Sequence, residues 1–313
     1  MKITLDIAKL VEDGRITPEE AERLKGLAAE STGSLAMNML IGFGVVAVAL
    51  GVMGLVPQPA VAVVLGGILG GVGLGFVLRG ERTWAILAQI CLLAGALMLA
   101  GGVMFMTKGS VMALLAVTAI FVGCGVVARS GLLIALAVLA LSATIGARTG
   151  YMHATYFLAI RQPAMTVLLF SGLAIGAYQA SKLVRADLSR LAIVAARTSL
   201  LLVNFGFWIG SLWGDRLTWF IDRTTTSRYA PVIPAWTFSL LWIAAIIGAG
   251  VWAARANRPW VLNLAAVFGA IHFYTQWFER LGATPFTVLV AGVLTLGLAV
   301  GIWKYNQGKT IPA

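Results

Sequence analysis

Charge is what this sequence has least of. Asp, Glu, Lys and Arg make up only 11% of its 313 residues, against roughly 25% in a soluble domain. A chain so short of polar surface cannot coat itself in water. Its 60% apolar and aromatic content and mean hydropathy of +0.92 point to lipid as its solvent. Cysteine is nearly absent as well. Cys91 and Cys124 both sit in apolar runs, which excludes a disulfide framework and reads as small-residue packing. Histidine is equally scarce. Neither His153 nor His272 has a carboxylate or cysteine at metal-ligand spacing. No nucleophile elbow and no Gly-Lys-Ser/Thr phosphate loop occurs. The expectation is therefore a protein that is not an enzyme, with no metal and no cofactor. The first thirty residues are acidic and lack an apolar core of signal-peptide length.

What charge there is carries information through its sign. The net charge is +11, yet residues 1–33 hold five bases against seven acids and are net −2. The other eighteen bases and five acids lie singly or in pairs between apolar runs. Scattered bases of that kind set topology and do not form a continuous face for phosphates, so no nucleic-acid partner is expected. With the N-terminus inside, ten loop bases fall on the inner side: Arg79, Arg82, Arg129, Lys182, Arg185, Arg190, Arg255, Arg258, Lys304 and Lys309. Seven fall outside: Lys108, Arg148, Arg161, Arg216, Arg223, Arg228 and Arg280. The positive-inside rule then places both termini in the cytoplasm.

Apolar segments cover 35–56, 59–78, 84–106, 110–128, 131–147, 163–181, 194–213, 233–254, 260–278 and 284–303. Each is long enough, or nearly so, to cross roughly 30 Å of hydrocarbon at about 1.5 Å per residue. The fold class expected is an all-α membrane protein, a polytopic bundle of about ten transmembrane helices over 34–313. The shortest segment is 131–147, and 156–160 reads equally as a backward extension of the sixth helix. In the second segment Gly66, Gly67, Gly70, Gly71 and Gly75 form overlapping small-xxx-small patterns for close helix packing.

Ahead of the bundle, 1–33 reads as a cytoplasmic helical hairpin. Leu5, Ile7, Leu10 and Val11 give its first helix an apolar side, and Gly14 stops it. Thr17-Pro18-Glu19-Glu20 then opens a second helix as a capping box with Pro at the first position. Ser31-Thr32-Gly33-Ser34 reads as a linker. About thirty residues cannot build a core alone, so 4–29 should dock on the bundle, the bilayer surface, a cytoplasmic protein or a second copy.

Three stretches together carry a resemblance: Asp13-Gly14-Arg15-Ile16-Thr17-Pro18-Glu19-Glu20-Ala21-Glu22-Arg23-Leu24, Asn204-Phe205-Gly206-Phe207-Trp208-Ile209-Gly210-Ser211-Leu212-Trp213-Gly214-Asp215, and Asn263-Leu264-Ala265-Ala266-Val267-Phe268 leading into Tyr274-Thr275-Gln276-Trp277-Phe278-Glu279-Arg280-Leu281-Gly282. The arrangement resembles a group of bacterial membrane proteins filed under a domain of unknown function, which join an N-terminal helical hairpin to a polytopic bundle. The resemblance implies a bacterial inner-membrane location and this layout. It implies no catalytic residues.

Polar residues inside apolar segments mark candidate chemistry, because hydrocarbon tolerates them only when paired. His272, Gln276 and Glu279 share one helical face in the ninth segment, with Tyr274 and Trp277 beside them. The seventh adds Asn204, Trp208 and Trp213, followed by Asp215 and Arg216. Read functionally, these ten residues line a ligand cavity that opens outward between the two helices. Read structurally, the aromatics form an interfacial belt, and His272 and Gln276 join helices. Arg197 is the one base placed within a segment, either paired at depth or snorkelling to the surface. Asn38, Gln89 and Gln179 are single polar residues that join helices or line a path. The function expected is transport of a small or amphiphilic solute, with ten spans dividing into two inverted halves of five. The alternatives are a scaffold or sensor engaging a cytoplasmic partner through the headpiece, and an intramembrane enzyme.

Overall fold

A computed structural model describes residues 10, 11, 13, 15–80, 82–152, 155–217 and 231–307. Most of the first headpiece helix, Gly14, His153, Arg223, Arg228 and Lys309 lie outside the described residues. Ten α-helices are described: α1 (Pro18–Leu55), α2 (Pro59–Arg79), α3 (Ala85–Met106), α4 (Val111–Val127), α5 (Gly131–Thr144), α6 (Pro163–Leu183), α7 (Ala186–Trp213), α8 (Ala235–Arg255), α9 (Pro259–Leu281) and α10 (Pro285–Gln307). They occupy the ten apolar segments. Two antiparallel ribbons interrupt them, β1 (Ala147–Met152) with β2 (Thr155–Ile160), and β3 (Asp215–Arg216) with β4 (Val232–Ile233).

Among the described residues, six helical stretches are long and apolar enough to cross a membrane: Ala36–Leu55 of α1, and the whole of α2, α3, α6, α7 and α8. Helices α4 and α5 are apolar but shorter, and α10 is apolar over Pro285–Gly297. Their outward faces are lipid-like. Phe43, Leu55, Leu78, Met112, Leu183 and Phe286 are each more than 70% exposed, a surface that only hydrocarbon covers without cost. The chain is a multi-pass, helical integral membrane protein whose immediate partner is the bilayer.

The start of α1 is the capping box that its sequence predicts. The Glu20 N–H donates to Thr17 Oγ1 at 3.2 Å, and the Thr17 N–H donates to Glu20 Oε2 at 2.9 Å. The linker at 31–34 departs from expectation, because α1 runs unbroken through it for 38 residues. Stopping there would strand four carbonyls and four amides and require a second nucleation. Those losses outweigh the helix propensity that Ser, Thr and Gly give up, about 1 kcal/mol for Gly and less for the others. Headpiece and first span therefore share one helix.

The 156–160 stretch is strand rather than helix, with Tyr156 opposite Tyr151 and Ile160 opposite Ala147. Thr155, Tyr156, Phe157 and Ile160 favour a pleated surface. Pro163, the first residue of α6, also disfavours a helical residue before it. Upstream, α5 ends at Thr144, and Gly146 (φ 82°) turns the chain away in a conformation that L side chains avoid.

The described residues fall into two compact units, 1–144 with 176–198, and 145–175 with 199–313, the boundaries lying at the end of α5 and inside α6 and α7. In the first unit α2 and α3 form a hairpin closed backbone to backbone. A Cβ on Gly66 would stand 2.6 Å from the Leu99 nitrogen, and one on Gly73 would stand 2.8 Å from Ala88 O. Gly95 and Gly102 complete the contact from α3, against Gly70 and Pro59. Gly67, Gly71 and Gly75 have nothing within 4 Å at that position, so the glycine pattern serves two faces. Ala96, Ala100, Val117, Phe121, Leu133 and Ala137 form the core that joins α3, α4 and α5. Asn38, 2% exposed, donates to Thr83 O at 2.7 Å and accepts from the Leu87 N–H at 3.2 Å, tying α1 to the open end of α3. Where α7 begins, Arg190 donates to Arg129 O at 2.9 Å, and Arg129 pairs with Asp187 at 3.2 Å.

Candidate functional site

In the second unit α8 and α9 are antiparallel neighbours joined by a short turn at 256–258. Their middle residues meet α7 in one aromatic and polar layer. Trp242 on α8 is fully buried. A buried indole N–H needs an acceptor, and it finds Asn204 Oδ1 on α7 at 2.9 Å. Asn204 in turn donates from Nδ2 to Leu200 O at 2.8 Å, one turn back. His272 on α9 meets the Trp242 ring edge to face, with centroids 5.0 Å apart. Phe268 packs against both Trp242 and Phe205, at 6.5 and 5.7 Å between centroids.

His272 Nε2 lies 3.2 Å from both the hydroxyl and the carbonyl oxygen of Ser239. A neutral ring has two ways to use them. With the proton on Nε2 it donates to the carbonyl; with the proton on Nδ1 it accepts from the hydroxyl.

Cavities lie on both sides of this layer. Toward the 256–258 turn, a space of about 210 Å³ is lined by Asn204, Trp242, Ile246, Ala249, Val261 and Leu264, among others. Toward the opposite ends of α8 and α9, an open-sided groove of about 490 Å³ is lined by Ser239, Ile243, His272, Gln276, Trp277 and Arg280, among others. Trp242 and Phe268, 0% and 3% exposed, stand between the two levels.

The structure brings His272, Gln276 and Trp277 into the groove and leaves Asn204 in the smaller cavity. It sends other candidates elsewhere. Tyr274 OH bonds Thr295 Oγ1 on α10 at 2.7 Å, and the Trp208 indole N–H donates to Thr275 Oγ1 at 3.1 Å; Trp277, though it lines the groove, spends its indole N–H on Thr287 O at 3.2 Å. Trp213, Arg216 and Glu279 are exposed, as is Arg197. Asp215, 4% exposed, accepts from the Ala164 N–H at 2.8 Å and so caps α6. Burial pushes its carboxyl above the usual aspartate range, against the opposing pull of the Ala164 and Arg216 backbone amides. Gln89 is exposed, and Gln179 accepts from Lys182 Nζ at 3.0 Å.

His272 faces α8 rather than α7, and its partner there, Ser239, carries no signal of its own in the sequence. Trp242 does carry one. A Trp seven residues inside an apolar helix is away from the interfacial belt and must bring an acceptor with it. Local glycines let the helices close on this layer. A Cβ on Gly210 would meet the Phe238 ring at 2.5 Å, and one on Gly206 would meet Val167 Cγ2 at 3.0 Å.

Among the described residues no group of three or more His, Cys, Asp or Glu side chains is placed to hold a metal ion. No protein-family model, no curated protein and no solved structure matches the chain.

Proposed function

We propose that this protein moves a small amphiphilic solute across a bacterial inner membrane, using about ten spans with both termini in the cytoplasm. The observation that carries the reading is the pair of cavities at two levels of the α7–α8–α9 group, separated by the buried Trp242 layer. A solute site open toward one side and closed by a packed layer from the other is what alternating access requires. In this reading the cavity near the 256–258 turn faces the cytoplasm and the groove faces outside. His272, Ser239 and Gln276 supply the polar contacts, and no bond is made or broken in the solute. The reading and the likeness to the unknown-function membrane family rest on the same stretches around Asn204 and Gln276.

The test is flux in proteoliposomes, using a short-chain fluorescent phospholipid as the amphiphile and dithionite bleaching to follow its crossing. Wild type should accelerate crossing over protein-free vesicles. His272→Ala should slow it at least several-fold, and Trp242→Phe, which keeps the ring but loses its N–H, should change the rate. Rates equal to protein-free vesicles for wild type, or equal to wild type for both variants, reject the assignment.

A second reading, a membrane sensor that engages a partner through the headpiece, is favoured by the unbroken α1. At about 1.5 Å per residue its 38 residues extend about 57 Å, a rigid link from headpiece to first span. Leu24→Asp with Leu27→Asp should then alter the oligomeric mass of the full chain in detergent, and an unchanged mass on its own would exclude self-association.

A further inference from the structure

We propose that the groove between α8 and α9 holds the phosphate headgroup of an anionic membrane phospholipid, with Arg280 as its principal contact. The inference shares its groove with the transport reading, but it concerns binding and does not require flux.

The polar residues of the groove stand in one line. His272, Gln276 and Arg280 follow one another at intervals of four on α9, a run of about 12 Å at 1.5 Å per residue. The line leads from the buried layer to a guanidinium one residue from the end of α9. The facing wall lies at the start of α8, a helix long and apolar enough to span. Ser239 and Ile243 sit four and eight residues from its first residue, about 6 and about 12 Å inside the helix end, so they line the acyl-chain stretch of the groove beneath the headgroup level at which Arg280 stands.

The groove is open to the side, and its rims are apolar. Leu240 is 60% exposed and Leu281 54%, so chains of a seated lipid would lie against surfaces already suited to hydrocarbon. Among the described residues that line the groove, Arg280 is the only charged one; Glu279 beside it is not part of the lining. A guanidinium presents several N–H donors in a fork that matches phosphate oxygens. The Gln276 amide adds donors behind it. A volume of about 490 Å³ falls within the usual range of ligand sites.

The test uses full-length protein in mixed micelles, titrated with phosphatidylglycerol, with phosphatidylcholine, and with inorganic phosphate alone, reading lipid retention by native mass spectrometry and protection by thermal shift. Phosphatidylglycerol should be retained in preference to phosphatidylcholine, and Arg280→Gln should weaken its retention by about tenfold, the loss expected of one charge-assisted contact. Arg280→Lys should recover part of it, and Arg255→Gln, at the opposite end of α8, should leave it unchanged. Equal retention of the two lipids, or an unaltered Arg280→Gln protein, overturns the proposal. Protection by inorganic phosphate alone equal to that by phosphatidylglycerol overturns the lipid assignment. Because retention is read without flux, a protein that binds phosphatidylglycerol but moves no probe refutes transport and leaves this site standing.

Discussion

The Trp242 indole N–H donates to Asn204 Oδ1 at 2.9 Å, and this bond fixes α8 to α7 at the level where the two cavities end. Asn204→Leu removes the acceptor and leaves a buried N–H unpaired. Unfolding of the purified protein should show a loss of about 1–3 kcal/mol. Combining Asn204→Leu with Trp242→Phe removes both partners and should recover part of that loss. A double-mutant cycle should return a coupling of about 0.5–2 kcal/mol.

Asn38 does similar work in the first unit, satisfying Thr83 O and the Leu87 N–H. Asn38→Leu keeps the size of the side chain and removes both bonds. The expected cost is about 1–3 kcal/mol, with faster amide exchange at Leu87 as the local signature.

Two glycines one residue apart should respond oppositely to the same change. A methyl on Gly66 would meet the backbone of α3, which cannot give way, so Gly66→Ala should push α2 from α3 and lower thermal stability. Gly67→Ala meets nothing and should be neutral or stabilising by up to about 1 kcal/mol through helix propensity.

Asp215 makes a pH-dependent contribution. Its carboxyl is raised by burial, so the folded state holds the proton to higher pH than the unfolded chain does. The sign follows: stability is greatest below the ordinary aspartate range and falls as pH rises through the raised value. Asp215→Asn should flatten that decline in a thermal-unfolding series from about pH 4 upward. Asp215→Ala, which also uncaps Ala164, should cost about 1 kcal/mol at the acid end of the series and less as pH rises.

Local features were the most legible in the sequence. The capping box at Thr17–Glu20 is complete within four residues, and the apolar segments locate all ten described helices. Features set by competition were less so. Residues 31–34 look like a linker until the cost of ending and restarting a helix is counted. The 156–160 stretch is apolar enough to extend the sixth span backward, but its aromatic and branched residues and Pro163 turn it into a strand. The site was half legible. The line of His272, Gln276 and Glu279 follows from helical spacing, yet the α9 groove takes His272 and Gln276 and leaves Glu279 exposed. The partners Ser239 and Trp242, thirty or more residues away, depend on how α8 is rotated against α9, which no local pattern encodes.

The central claim is that Trp242 and its neighbours separate two cavities that face opposite sides of the membrane. Single cysteines at Gln276 and Ala249, in a protein carrying Cys91→Ala and Cys124→Ala, can be labelled in sealed vesicles with an impermeant maleimide from either side. The account predicts that Gln276→Cys reacts only from outside and Ala249→Cys only from the cytoplasmic side. Replacing Trp242 with Ala in either background should open labelling from the second side. Labelling of both positions from the same side in the wild-type background, or of neither from any side with Trp242 replaced, would contradict it.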